Sequence, residues 1–472
     1  LIKDLYDREP DFDVPAFRDP EAVDPEVMAA FRNGETVGIF QFSTPVMTHL
    51  VKQIGPTNML DLAACNALVR PGAAKIAHDY GRRKRDPSLI EYWAPELEPV
   101  LKDNYGLMIY QEDLMEIVQR LGGFTPGQAD DMRKAMGKYY RLGKAEAQKF
   151  MQGYWDKWKE GTAERGIDTA KRDHIWSMIL EFGGYGFNKS HAVLYAMTAY
   201  REMHLKIHDP DAFYAAELTY ETKEDKRLDA VNEARDKNVA ILPPVIGTSQ
   251  AGFKLSRDGI HFGFEAVKGI GAKAASKLCN EIGWGDMDAV REDFPKNVVE
   301  ALEEAGALDI LGGRKGWDDD KKAELERKRL GMALSGAPVH ERWGHIIQTR
   351  PGWISKTDYD EMEPGPKWSK NGNDGRITIG GEIISVDVLK VKSGRNKGRS
   401  YARFKIAYGS DIFRCLMFSD AYDELGELLN DRPPAVVIHG RKSEEGPDSE
   451  LIVDKMASVT VVEKLEQERM VA

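Results

Sequence analysis

Apolar residues recur at helical spacing through the first half of this 472-residue chain and alternate, one in two, only after residue 375. Leu114, Ile117, Val118 and Leu121 follow i, i+3, i+4, i+7, one face of an amphipathic helix. Gly122-Gly123 closes that helix, and Thr125-Pro126 reads as a cap and first-turn proline for the next. The helical pattern runs from about residue 26 to 222, and Pro243-Pro244 breaks the run after it. Short apolar segments follow (Phe253 to Leu255, Ile260 to Phe264), then small helices joined by glycines from 264 to about 312. A very charged helix is expected from Asp318 to Arg329, and a Trp-, Pro-, Gly- and Lys-rich connection from 347 to 374. In the last part Ala402, Phe404 and Ile406 alternate, as do Phe413, Cys415 and Met417. A short helix with Leu425, Leu428 and Leu429 precedes two more strands, near Ala435 to His439 and Leu451 to Asp454. Five short strands with a helix before the fourth suit an OB-type barrel. At roughly 150 residues per domain the length suits about three domains. The fold class is thus multidomain, mostly helical, ending in a small all-β barrel.

The chain is 42% hydrophobic and 30% charged, as a water-soluble globular protein is, and no apolar run approaches the roughly 20 residues that span a bilayer. Its three cysteines, Cys65, Cys279 and Cys415, are far apart. They give no metal-ligand spacing and no disulfide framework, so a reducing cytoplasm is the expected setting. A net charge of −11 argues against a general nucleic-acid binder, but the basic residues are concentrated. Between Asp131 and Lys149 stand Arg133, Lys134, Lys138, Arg141, Lys144 and Lys149 against two acids. Between Lys390 and Arg403 stand Lys390, Lys392, Arg395, Lys397, Arg399 and Arg403 with no acid, and Arg82 to Arg85 is a third run. Each is a candidate phosphate contact or a solvated face.

The most informative stretch is Gly183 to His191, GGYGFNKSH. Its glycines let the backbone turn where side chains would block it. Asn188, Lys189, Ser190 and His191 then open a helix, whose free N–H groups and dipole favour phosphate. Lys189 would add a point charge and His191 a proton donor. The same residues also read as a glycine turn with a capping Asn or Ser and a surface lysine. In Leu68-Val69-Arg70-Pro71-Gly72 the proline biases Arg70 toward extended geometry, where it could grip a triphosphate or simply face solvent. Tyr105 to Glu112 is an apolar run whose polar end, Gln111-Glu112, either emerges at a site or caps a buried element.

Val267-Lys268-Gly269-Ile270-Gly271-Ala272-Lys273-Ala274-Ala275 has the hairpin pattern of a helix-hairpin-helix motif. Gly269 and Gly271 would let backbone N–H groups approach a phosphate, Ala275 would let the helices pack, and Lys268 and Lys273 flank the turn. Such a motif holds duplex DNA without reading its sequence. A degenerate hairpin is expected at Glu304 to Asp309. In the barrel, Lys392, Arg395 and Lys397 with Tyr401 form a basic, aromatic loop of the kind that holds single strands, or else a solvated loop on a protein-binding barrel.

Gly38-Ile39-Phe40-Gln41-Phe42, Leu68 to Gly72, Tyr105 to Glu112, Gly122 to Thr125 with Met132 to Lys138, and Tyr185 to His191 occur in one order. Together they resemble the bacterial DNA polymerase III alpha subunit, a C-family replicative polymerase. Ile241 to Pro244, the Gly269 hairpin, Leu330-Gly331 with Leu334 to Gly336, and the barrel strands extend the match over residues 26 to 462. The resemblance implies a linker over 1–25, fingers over 26–255, tandem helix-hairpin-helix over 256–315, a charged helix and connection over 316–374, an OB domain over 375–462 and a tail over 463–472. It implies extension of primer-template DNA with deoxynucleoside triphosphates on a palm whose aspartates hold two Mg2+ ions. Arg70, Tyr185, Asn188, Lys189 and His191 would then form the nucleotide pocket. Arg133, Lys134, Lys138, Lys268, Gly269, Gly271, Lys273, Lys392, Arg395, Lys397 and Tyr401 would meet DNA.

The chain departs from that family in several places. The palm is expected before residue 1, in upstream residues or a partner chain, so no catalytic or metal-binding residue is expected here. Pro10-Asp11-Phe12-Asp13-Val14 looks like the start of the palm's aspartate motif, but it lies directly before the fingers and Pro15 follows it. A sliding clamp is a partner of the family, yet no glutamine-plus-aromatic clamp peptide follows the hairpin region. No membrane partner is expected. The alternative function is a non-catalytic DNA-binding protein derived from a polymerase.

Overall fold

A computed structural model of the chain describes residues 19–139, 142, 144–183, 186–280, 284–335, 339–363, 376–409, 411–431, 433–443 and 449–471. The chain forms two compact units, one ending at Ile207 and one beginning at His208.

In the first unit the helix signals act where the sequence places them. Helix α1 (Pro25–Asn33) is capped by Asp24, whose side chain accepts the N–H groups of Glu26 and Val27. Helix α2 (Pro45–Ile54) is capped by Thr44 and ends at a left-handed Gly55. Helix α3 (Met59–Leu68) is buried on every side, Asp61 and Asn66 included. Asp61 accepts hydrogen bonds from Tyr80, Tyr105, the Thr57 backbone and Lys84. Lys84 belongs to α4 (Ala74–Arg85), so this basic run is partly structural. Arg83 donates to the carbonyls of Tyr105 and Gly106, and Arg85 to that of Gln53.

A short α5 (Glu98–Leu101) leads to α6 (Gln111–Gly122), α7 (Pro126–Tyr139), α8 (Lys144–Glu164) and α9 (Thr169–Phe182). Leu114, Ile117, Val118 and Leu121 are all buried, and pack in one core with Met132, Met136, Trp158 and Ile179. That burial is what selects the helix, because an amphipathic face needs a partner to be stable. The expected turn is a capping box: Thr125 Oγ1 accepts the N–H of Gln128, and Gln128 Oε1 accepts that of Thr125. Helix α10 (Lys189–His208) follows the glycine turn.

The second unit opens with α11 (Pro210–Tyr220) and α12 (Glu224–Asp236). Strands β1 (Ile241–Leu242), β2 (Lys254–Ser256) and β3 (Gly259–His261) form a small sheet in the order β1-β3-β2. Helices α13 (Ala272–Asn280), α14 (Met287–Asp293), α15 (Lys296–Glu304) and α16 (Asp319–Leu330) complete the hairpin region. Part of the expected connection is helical instead: α17 (Val339–Gln348) reaches into it and α18 (Lys356–Glu361) lies within it. Trp343, Ile346 and Ile347 give α17 an apolar face to bury, which the surrounding Pro and Gly content obscures.

The barrel strands are β4 (Arg376–Lys390), β5 (Ser400–Tyr408), β6 (Asp411–Met417), β7 (Val436–Lys442) and β8 (Leu451–Ser458). They close in the order β4-β5-β6-β8-β7, with β7 returning to β4. Helix α19 (Ser419–Asp431) sits between the third and fourth strands, and α20 (Val459–Val471) follows the fifth. This is the OB topology that the alternation and the helix position imply. Closure needs β4 to bend, and Gly381 permits it: a Cβ there would lie 2.2 Å from the Ala407 carbonyl oxygen. The Arg327–Glu382 ion pair, 2.6 Å, joins α16 to β4, and Lys405–Asp229, 3.5 Å, joins β5 to α12. Among the described residues no helix is long and apolar enough to cross a membrane.

Candidate functional site

Two segments far apart in sequence meet in the first unit. Tyr110 and Phe187 form an isolated parallel β-bridge, in which Gln111 N–H donates to the Phe187 carbonyl at 2.8 Å and Phe187 N–H to that of Ile109 at 3.3 Å. Gln111 Nε2 also donates to the Gly186 carbonyl at 3.1 Å. Gly186 has no room for a larger residue, since a Cβ would lie 2.7 Å from the Phe182 ring. The polar end of the Tyr105–Glu112 segment therefore holds the chain at Gly186 and Phe187.

Each ring of the bridge carries a cation. Arg70 Cζ lies 4.3 Å from the Phe187 ring centroid, and Lys189 Nζ lies 5.6 Å from that of Tyr110. Arg70 has the extended geometry that its proline imposes, φ −78° and ψ 147°. Partial burial pulls its pKa below the ordinary guanidinium value. The His191 ring lies 3.9 Å from that of Tyr195, tilted by 49°, and 5.5 Å from that of Phe187. Arg70, Lys189 and His191 are thus gathered around one bridge. Tyr185 lies outside the described residues.

The structure corrects one expectation. The N-terminus of α10 is not open to an incoming anion at Lys189 and His191. Glu112 accepts the backbone N–H of Lys189 at 2.9 Å, and Asn188 Oδ1 accepts that of His191 at 2.8 Å. Asn188 Nδ2 donates to the other Glu112 oxygen at 3.1 Å. A carboxylate on this chain already holds the dipole end that a phosphate would have taken. What remains for a ligand is the side-chain charge of Arg70 and Lys189. Glu112 is the residue that sequence reasoning placed only as an end of a segment; its partner lies too far along the chain for any local signal.

Arg133 reaches this region by donating to Gln111 Oε1 at 3.2 Å, while pairing with Asp130 at 2.8 Å. Lys134 also pairs with Asp130, at 2.6 Å, and Lys138 is exposed on the same helix. In the hairpin of the second unit, Gly269 is left-handed at φ +101°, and Lys268 Nζ is held by Glu224 at 2.7 Å. Gly271 faces open space, Lys273 is exposed, and Ala275 is buried as expected. The degenerate hairpin has a left-handed Gly306 packed on Arg314, which pairs at 2.6 Å with both Asp309 and Glu326. In the barrel, Lys392, Arg395 and Lys397 are exposed and Tyr401 is half-buried, opposite Leu389. The loop without acids is partly neutralised in three dimensions: Arg399 pairs with Asp420 and Asp423 of α19, and Arg403 with Glu450. Asp11 and Asp13 lie outside the described residues. Among the described residues the one group of three potential metal ligands is Asp24, His204 and His208, and no three carboxylates converge.

The sequence matches the family described as the bacterial DNA polymerase III alpha subunit finger domain over residues 7–159, and a helix-hairpin-helix motif family over 238–316. The DNA polymerase III subunit alpha of Aquifex aeolicus is 33% identical over 88% of this chain and 37% of its own length. That of Helicobacter pylori is 36% identical over 87% and 38%, and that of Thermus aquaticus 33% over 89% and 38%. With its helical fingers, hairpin region and closed five-stranded barrel, the chain belongs to the bacterial DNA polymerase III alpha family. It spans well under half the length of these curated relatives.

Proposed function

We propose that this chain is the nucleotide- and DNA-holding part of a template-directed DNA polymerase, whose catalytic carboxylates and Mg2+ ions lie outside the residues described. Arg70 and Lys189 grip the triphosphate of the incoming deoxynucleotide, and His191 stands beside them as a proton donor. Their charge offsets that of the phosphates and holds the nucleotide in place while the primer hydroxyl attacks, with pyrophosphate released. The hairpin glycines and Lys273 hold duplex product by its backbone, and Lys392, Arg395 and Lys397 draw in a single strand. A palm from upstream residues or a partner chain completes the enzyme.

The observation that carries this reading is the Tyr110–Phe187 bridge with a cation on each ring. The test is primer extension by this chain joined to, or mixed with, the palm region encoded beside it. Lys189→Ala should raise KM for deoxynucleotides about tenfold or more, as loss of a charge-assisted contact does, and leave DNA affinity unchanged. Equal loss of both would overturn the assignment.

A further inference from the structure

Three side chains gather at the far end of α10 from Lys189 and His191. His204 and His208 stand four residues apart near the end of that helix, so both project from one face of it. His208 is the last residue of α10, and the helix itself sets its place beside His204. With Asp24 they offer two imidazole nitrogens and a carboxylate oxygen, all within 4.8 Å of one another. Asp24 and His204 are half-buried and His208 is exposed, which leaves the group open on one side.

The fold holds Asp24 in this position. Its backbone N–H donates to Tyr200 Oη at 2.6 Å, and Tyr200 lies four residues before His204 on the same face of α10. Its side chain caps α1, and both cap bonds go to Oδ1, from Glu26 N–H at 2.8 Å and Val27 N–H at 3.4 Å. A carboxylate can cap with one oxygen and ligate with the other. The local charge suits a cation as well, because the C-terminal end of a helix carries the negative end of its dipole. Lys206 stands between the two histidines in sequence but on another face of the helix, and its ammonium donates to the carbonyls of Glu35 at 2.9 Å and Val37 at 2.8 Å.

We infer that Asp24, His204 and His208 form a binding site for a divalent transition metal, of which zinc is the best fit. Two imidazoles and a carboxylate, with the fourth position left to water, are a donor set that zinc takes in tetrahedral geometry. Mg2+ and Ca2+ prefer oxygen ligands throughout, so neither is the metal expected here. Tetrahedral ligands at about 2.0–2.1 Å from zinc lie about 3.3 Å apart, and the exposed His208 ring can turn to close the remaining gap. The effect of the metal is mechanical. It ties the start of α1 to the last turn of the helix whose first turn carries Lys189 and His191. The inference does not depend on what those two residues bind.

The test titrates Zn2+ onto the full chain by calorimetry after EDTA has stripped it of metal. One saturable Zn2+ per chain is expected, and Co2+ in its place should show the visible absorption of a tetrahedral site. Asp24→Asn keeps the helix cap, since asparagine caps as well as aspartate, and His208→Gln changes an exposed side chain. Each should weaken Zn2+ binding about tenfold or more, since even changes outside the ligand shell cost that much. At about a hundredfold excess over its Kd, Zn2+ should raise the thermal midpoint of the parent by about 5 °C, and that of the variants far less at the same concentration. His204→Gln is the third variant; should it fail to fold, the other two decide. A parent that takes up no Zn2+, or Asp24→Asn and His208→Gln proteins that bind it as the parent does, would overturn the site. Mg2+ that displaces Zn2+ at equal concentration would overturn the choice of metal.

Discussion

Glu112 accepts the backbone N–H of Lys189 at 2.9 Å across 77 positions of sequence, although it lies itself in the first turn of another helix. One carboxylate thereby serves two helix N-termini. Its charge suits both dipoles, and its second oxygen takes Asn188. Glu112→Ala should destabilise the first unit by about 1–2 kcal/mol, the range for losing a helix cap. Glu112→Gln keeps an acceptor but not the charge, and should cost less, about 0.5–1 kcal/mol. Urea unfolding of the three proteins measures this. Equal stabilities would show that the turn is held without Glu112.

That contact marks where local reading stops. The core helix α6 was legible because burial and period coincide at Leu114, Ile117, Val118 and Leu121. The barrel was legible because its inward residues alternate. Arg70 takes its extended geometry from a neighbour, Pro71, so it too could be read locally. Long-range charge pairing could not. Arg399 stands in a stretch lacking acids, yet Asp420 and Asp423 reach it from α19. Lys84 stands in what reads as a phosphate-binding run, yet it is partly buried and paired with the buried Asp61. Periodicity reports which face is buried; it does not report which charges fold back on each other. The roles of Phe187 and Tyr110 as supports for cations were hidden for the same reason, since the bridge that pairs them joins distant segments.

Asp113 is buried beside the same bridge, and accepts the N–H groups of Ile109 at 2.9 Å and Tyr110 at 2.8 Å, and Asn104 Nδ2 at 3.1 Å. Burial outweighs these bonds and pushes its pKa up from 3.8 to about 6. The folded state therefore holds this proton more tightly than the unfolded chain. The resulting stabilisation is fully present below the unfolded pKa of about 4 and is lost as pH rises through the folded value near 6. Asp113→Asn removes the titration. Between pH 4 and pH 7 the variant should gain on the parent by about 1–3 kcal/mol, from 1.36 kcal/mol per pH unit. Paired denaturant titrations at the two pH values measure the change, and a constant difference would rule out a raised Asp113.

Glu326 is completely buried and fully bonded. It pairs with Arg314 at 2.6 Å and accepts the N–H groups of Leu334 at 2.7 Å and Ser335 at 2.6 Å. Replacing it with alanine leaves the Arg314 guanidinium, itself buried, with only Asp309. The expected loss is about 3–5 kcal/mol, the range for breaking one side of a buried pair. The double variant Arg314→Met with Glu326→Leu removes both charges and should recover much of that loss. Thermal unfolding of the single and double variants decides it; a double variant no better than Glu326→Ala would mean that the hydrogen bonds to Leu334 and Ser335 dominate.

The hairpin glycines are unequal, and the difference makes a cleaner test of DNA binding. Gly269 is left-handed, and a Cβ there would lie 3.0 Å from Arg329 and 3.3 Å from Ala301, so any substitution strains the fold first. A Cβ on Gly271 would meet nothing within 4 Å, and its φ is not positive, so Gly271→Val leaves the fold alone and blocks only what approaches from outside. It should weaken duplex binding by about tenfold, the cost of losing one or two backbone–phosphate hydrogen bonds, without lowering thermal stability. Lys273→Ala should act differently. Removing one phosphate contact reduces the slope of log affinity against log salt by about 1 and weakens all duplex sequences alike. A Gly271→Val protein that binds duplex normally, or a Lys273→Ala protein with an unchanged salt slope, would place the DNA backbone somewhere other than this hairpin.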